Sequence, residues 1–429
     1  MEKVPKPLSL YKRILFNSLM LFGIYGAVEF MSFLTLLRNH GSLSALIGRR
    51  RVAASQDPFN PAGPFEAPMA VHPYIGTVLT PGNNDGQSAA KEKYRITEFG
   101  FVDDDLPIHH RSPDRVIVGI LGGSVARQFS LNATDALSEE LSKSSEFHGR
   151  SFKFVRLATN AYKQPQQLMT LTYVLMLGGE FDIVINLDGF NEATLPAADN
   201  IPFGIFSAYP CHWGAIVSAN AIPELMRRGG YISHLRKRQH DEAASASTVP
   251  WCYSPTAQLL WGFRDERSSL EIVRQINILK EFRFQKSSYT RSGPPEHFDS
   301  QDEMYAHCTD LWSRSSLLIH QLCEARGIRY FHFLQPNQYL DGSKPMGDVE
   351  TKRSIQRIGP FCQSVQSCFP LMKAAGTRLV ASGVSFTDLT DVFADHPEPI
   401  YIDNCCHLEK SGDLILANAI GERIRAASR

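Results

Sequence analysis

The 429-residue chain carries 44 basic and 44 acidic side chains, so its formal net charge is zero and the balance argues against a nucleic-acid partner. Hydrophobic residues make up 43% of it, which excludes a disordered chain and supplies core for one large domain with insertions or for two to three domains. Eight cysteines without a Cys-x-x-Cys pair argue against a zinc ribbon, and their even number permits disulfides without requiring them.

An N-terminal tail (1–14) precedes the apolar stretch 15–37, "LFNSLMLFGIYGAVEFMSFLTLL", whose one charge is Glu29. At about 1.5 Å per residue it is long enough to cross a hydrocarbon core of ~30 Å, and it reads as a transmembrane helix in contact with the lipid bilayer. A cleaved signal peptide would have a shorter apolar region and a small-x-small site, which "GSLSA" matches only weakly. Lys3, Lys6, Lys12 and Arg13 precede the stretch, while Arg38, Arg49, Arg50 and Arg51 follow it, so flanking charge does not fix its orientation. A carboxylate inside a span is costly, and Glu29 therefore points to a membrane partner or a snorkelling position. Residues 38–93, rich in Pro, Gly, Ala and Asn, read as a linker.

From residue 94 to 429 strand and helix patterns alternate. Apolar runs predict strands at 115–122, 152–158, 181–189, 327–336 and 384–393. Helical spacing predicts helices at 135–147, at 164–179 with Pro165 in its first turn, and at 411–427. Residues 195–300 interrupt the alternation with the basic "MRRGGYISHLRKRQH" and the amphipathic "SSLEIVRQINILKEF", and read as a helical insertion over the C-terminal edge of the sheet. Such alternation predicts a three-layer α/β/α domain with a parallel, flavodoxin-like sheet. Ligands bind at the C-terminal strand edge of such sheets.

Four segments just past predicted strand ends, or just before the last helix, carry candidate chemistry. "LGGSVA" ends the first strand with Ser124, a nucleophile or simply a turn serine. "ATNAYKQP" supplies Asn160 and Ala161 after the second, and "DGFNE" supplies Gly189, Asn191 and Glu192 after the third. "YIDNCCHL" supplies Asp403, Asn404 and His407 before the last helix. Histidine can take a serine proton, a carboxylate can orient the imidazole, and amide donors can hold an oxyanion. Gln335 and Asn337 follow the fourth strand and are candidates for lining a pocket. Adjacent Cys405 and Cys406 cannot easily share one tetrahedral ion, so no metal is expected at them.

These segments resemble the four blocks of the SGNH (GDSL-type) hydrolases, membrane-anchored bacterial members in particular. "LGGSVA" is similar to the first block, with Gly123 where many members have Asp; "DGFNE" to the third; "YIDNCCHL" to the last. "KYRITEFGF" and a span containing Glu also resemble those members, and the likeness covers roughly half the chain. It implies Ser124 as nucleophile, His407 as base and Asp403 as orienting acid. It further implies an oxyanion hole from Ser124, Ala161 and Asn191, with Asn160, Gly189, Gln335, Asn337 and Asn404 available to substrate. The implied activity is hydrolysis of an acyl ester, of a cell-surface glycan or lipid, by a single-pass inner-membrane protein with its catalytic domain outside the cytoplasm. The resemblance implies no metal or organic cofactor. An O-acyltransferase of polysaccharide assembly and a decayed scaffold are the alternatives. The chain departs from the family in two places. Ala161 stands where the second block has glycine. The family's Asp-x-x-His spacing puts Asn404, not Asp403, three residues before His407; Asp403 is expected to orient the imidazole if the segment bulges at the paired cysteines.

Overall fold

A computed structural model describes residues 9–40, 47–48, 50–51, 69–81, 94–221, 223–282, 289–357 and 359–427. Its principal helices are α1 (Leu10–His40), α2 (Ser124–Asn132), α3 (Thr134–Ser142), α4 (Gln166–Met176), α5 (Phe190–Leu195), α6 (Pro223–Ala246), α7 (Pro255–Phe282), α8 (Gln301–Glu324), α9 (Pro360–Ala381) and α10 (Lys410–Ala426). The strands of its main sheet are β1 (Arg115–Gly122), β2 (Ser151–Arg156), β3 (Ile183–Asp188), β4 (Arg329–Leu334) and β5 (Ser385–Asp388). Two compact units emerge: Met1–Glu66 with Ala219–Phe282, and Ala67–Ser218 with Arg283–Arg429.

In the second unit the strand order is β2-β1-β3-β4-β5 and every pair is parallel. The register sets Ile120 beside Arg156 and Ile185, and Ile185 beside Phe331. β1 and β3 are buried along nearly their whole length, which is why "VIVGIL" and "IVINL" read as continuous rather than alternating apolar runs. Right-handed crossovers put α2, α3 and α10 on one face and α4, α8 and α9 on the other. The packing agrees, since α10 lies on α2 and α3, while α8 contacts both α4 and α9. The chain turns outward from β1 in opposite directions, to β2 and then to β3, so the ends of β1 and β3 flank the point where the order reverses.

The five expected strands are all present, with ends trimmed by up to five residues. Two boundaries differ from the expectation. Residues 69–79 of the expected linker form an antiparallel hairpin whose Ile75 and Val78 enter the main core, so the α/β unit begins near Ala67 rather than at 94. Residues 1–8, 41–46, 49, 52–68 and 82–93 of the expected tail and linker lie outside the described residues. The insertion narrows to 219–282, because 195–218 and 289–300 pack with the α/β unit. Helix α8, unexpected from the pattern, begins at a reciprocal cap: Ser300 Oγ accepts from the Glu303 amide at 3.1 Å, and the Glu303 carboxylate accepts from the Asp299 amide at 2.7 Å.

In the first unit α1 packs on α7, and α6 and α7 pair as a helical hairpin. α1 is long and apolar enough to cross a membrane. The partner of Glu29 belongs to the same chain: its carboxylate accepts from Ser254 Oγ at 2.6 Å and from the Thr256 amide at 3.0 Å, at the start of α7.

Gly122 has φ +139°, and a Cβ there would fall 2.2 Å from the Leu187 carbonyl oxygen and 2.5 Å from Ala126 Cβ. Gly122→Ala is therefore expected to cost about 1–3 kcal/mol, read as a lowered unfolding midpoint. Gly347→Ala, in open space at ordinary φ, is expected to stay within about 0.5 kcal/mol of wild type.

Candidate active site

Ser124 is the first residue of α2, immediately after the Gly122-Gly123 turn that ends β1. Gly123 caps the helix with no side-chain bond, so the first amides of α2 point into the space at the end of β1. Its missing Cβ matters: one built there would lie 2.2 Å from Asn191 Nδ2. Asn191, in the first turn of α5 just beyond β3, thus rests its amide directly on the β1 turn. One hydrogen of that Nδ2 goes to the Tyr162 carbonyl at 2.8 Å, which leaves a second donor on the same nitrogen. Ala161, immediately before Tyr162, has φ +60°, the left-handed conformation that favours glycine. The loops after β1, β2 and β3 therefore meet at Ser124, Ala161 and Asn191.

Asp403 and His407 form a second group. Asp403 Oδ2 and His407 Nδ1 are 2.6 Å apart. Asp403 Oδ1 accepts from the Cys405 amide at 2.8 Å and the His407 amide at 3.3 Å. Burial pushes the Asp403 carboxyl up, but the His407 hydrogen bond and charge, with the two amides, outweigh it and hold the group below the ordinary carboxylate range. Asn404 points elsewhere, to the Gln356 side chain. The four-residue spacing is accommodated at Cys406, which has φ +61°. Among the described residues neither Ser124 Oγ nor His407 Nε2 has a hydrogen-bond partner, so no bond joins the two groups.

The loop after β4 supports the histidine segment. Gln338 Nε2 donates to the Asp403 carbonyl at 3.0 Å, Tyr339 Oη to the Asn404 carbonyl at 3.1 Å, and Gln335 Nε2 reaches Cys406 Sγ at 3.0 Å. The Gln335 amide also bonds the Asp188 carbonyl at 2.9 Å, continuing the β3–β4 ladder to the residue before Gly189. On the other side α2 packs on α10, where Asn132 Nδ2 donates to Asp413 Oδ2 at 2.7 Å. The two groups are thus tied to one sheet edge through β4 and through α10.

Three of the expected pocket residues sit elsewhere. Gly189 lies in a buried turn, where a Cβ would be 2.5 Å from Leu334 Cδ1. Asn337 is fully buried and organises its own turn by accepting from the Tyr339 amide at 3.0 Å. Gln335 is only 4% exposed and braces the cysteine pair. Asn160 remains half-buried near the β1 turn, with its Oδ1 3.4 Å from Arg127 Nη1. Sequence reasoning missed Gln338 and Tyr339 and named Glu192 only as candidate chemistry, not as a brace. Glu192, three residues after Gly189, accepts from the Gly189 amide at 2.9 Å, the Gln164 amide at 3.0 Å and Gln167 Nε2 at 2.9 Å, and so ties the β2 and β3 loops together. Its place at the third position of α5 was the available signal.

No protein-family model matches the chain, and no curated protein matches it.

Two outcomes follow from this geometry. If the site turns over an ester, Asp403→Asn is expected to lower kcat by about 10⁴, as loss of the orienting charge does in serine proteases, whereas Asn404→Asp leaves it little changed. The second concerns Asp413, whose carboxyl burial pushes up to about 7 against the pull of the Asn132 bond and of His407. An unfolded chain releases that proton near pH 4 (about the ordinary value), so the folded state holds more protons and this group lowers stability as pH rises from about 4 to about 7. In thermal unfolding, Asp413→Asn should be more stable than wild type at pH 8 and should lose that advantage near pH 4.

Proposed function

We propose that this protein is a serine-dependent acyl-ester hydrolase of the SGNH type, anchored to a membrane by α1. The observation that carries the reading is the Asp403–His407 contact of 2.6 Å, on the sheet edge where Asn191 lies against the turn that bears Ser124. A histidine held through Nδ1 keeps its Nε2 lone pair outward, which is the state a general base requires.

In the proposed reaction Ser124 Oγ attacks the ester carbonyl and its proton passes to His407 Nε2. Asp403 stabilises the imidazolium. The carbonyl oxygen becomes an oxyanion facing the Ser124 and Ala161 amides and the second Nδ2 hydrogen of Asn191. The intermediate collapses, His407 returns the proton to the leaving alcohol, and an acyl group remains on Ser124. Water activated by the same histidine then releases the acid, and a sugar hydroxyl in its place would make the step an acyl transfer.

The proposed substrates are O-acylated glycans or lipids at the cell surface, with the α/β unit outside the cytoplasm. The resemblance of residues 94–195 and 327–427 supports that placement. Flanking charges tie at four each, and all eight cysteines are unpaired, so neither bears on it.

Ser124→Ala is expected to abolish turnover of short acyl esters without lowering the unfolding midpoint. Asn191→Ala is expected to cut kcat by ~10² to 10³ with little change in KM, because the donor acts on charge that develops in the transition state. Wild-type turnover by Ser124→Ala would remove the serine from the reaction. An effect of Asn191→Ala on KM alone would make that residue a ground-state binding group.

A further inference from the structure

The contact between Glu29 and the start of α7 fixes a depth. Glu29 lies eight residues before Leu37, the last residue of the apolar stretch. At 1.5 Å per residue it stands about 12 Å inside the end of a span built from that stretch. Ser254 and Thr256 bond its carboxylate directly, and Thr256 Oγ1 donates to Ser32 Oγ at 2.9 Å one turn farther on. On α1 the face that turns inward is Glu29, Ser32, Phe33 and Leu36, a helical i, i+3, i+4, i+7 stripe, while residues 10–28 are exposed all round. Leu36 packs with Ala243, Ala246 and Trp261, so α7 leaves the Glu29 level in the same direction as α1.

We infer that the tip of the α6–α7 hairpin, about Thr248 to Phe263, is embedded in the same leaflet as the C-terminal part of α1, with lipid acyl chains as its partner. This inference rests on α1 being a membrane span. Two further features of the tip fit lipid. Its outward residues are large and apolar or amphipathic: Val249 is 74% exposed, Trp251 57%, Tyr253 81%, and Leu260 and Phe263 52% each. Its backbone, by contrast, is closed on itself, as non-helical chain at membrane depth must be. The Cys252, Tyr253 and Ser254 amides bond the Thr248, Pro250 and Trp251 carbonyls. Gln258 Nε2 takes the Ala246 carbonyl at 3.0 Å and the Trp251 carbonyl at 2.9 Å. Farther from the tip the character reverses: a groove of about 620 Å³ between α6 and α7 runs from Trp251 and Leu260 to Arg264 and to Lys237 and Arg238, which pair with Asp241 and Glu242, a charged layer suited to the headgroup region.

The test uses the full chain in vesicles of lipids brominated at mid-chain, comparing wild type with Trp251→Phe. Trp251 is highly exposed, Trp261 and Trp312 are buried and Trp213 is half-buried, and these three are common to both proteins, so the difference between the two reports Trp251. The expected result is that brominated lipid quenches the Trp251 component by at least half and aqueous iodide leaves it unchanged. Alkaline carbonate extraction of the same vesicles reads α1 separately. A chain that resists extraction while iodide, not brominated lipid, quenches Trp251 would overturn the embedded tip and leave the span. A chain released by carbonate would overturn the span and the tip with it.

Discussion

The close approach of Asn191 to Gly123 is the constraint on which the candidate site depends. Two loops from neighbouring strands, β1 and β3, occupy one small volume at the point where the strand order reverses. A Cβ on Gly123 would occupy the position of the Asn191 amide, and one on Gly122 would collide with the Leu187 carbonyl of β3. The two glycines therefore let helix α2 begin against the neighbouring strand, with Ser124 at its first turn. The bond from Asn191 to the Tyr162 carbonyl then draws the β2 loop into the same place. Shape settles the arrangement before any charge is involved.

Beneath that edge lies a frame of buried polar groups that do not face the site. Asp188, at the end of β3, accepts from Trp312 Nε1 at 2.7 Å and from Asn186 Nδ2 at 2.8 Å, and its Oδ1 is 2.9 Å from His332 Nε2. The other ring nitrogen of His332 meets Ser316 Oγ at 2.7 Å, so β3, β4 and α8 are locked together by one network. Glu192 extends the frame to the β2 loop, with burial and nearby Asp188 raising its carboxyl to about 8. Next to Tyr162, burial lowers the Lys163 ammonium to about 8, and it donates to the Ser207 and Tyr209 carbonyls. Buried groups linked in this way in a low-dielectric interior give a stiff base to loops that would otherwise move.

The strands were legible because buried parallel strands leave continuous apolar runs, and the positions of Ser124 and Asn191 just past strand ends and of His407 just before the last helix could be read from the same pattern. What stayed hidden depended on single dihedral angles and on distant contacts. The choice between Asp403 and Asn404 turns on Cys406, a residue type that gives no sign of a positive φ. Gly189, Gln335 and Asn337 occupy strand ends just as Ser124 does, and nothing in sequence distinguishes a strand-end residue that faces outward from one that packs inward. The hairpin at 69–79 is composed like a linker, yet two apolar residues, Ile75 and Val78, commit it to the core. Glu29 announced a partner by its cost within an apolar stretch, but that partner lies more than two hundred residues away, at Ser254 and Thr256.

In the reaction we propose, Ser124 becomes acylated with His407 as its base. Mass spectrometry of the protein quenched during turnover of an activated acyl ester tests it most directly. The expected result is one acyl adduct, on the peptide that contains Ser124, formed by wild type and strongly reduced in His407→Ala. An adduct on another residue, or one on Ser124 that forms equally fast without His407, would contradict it.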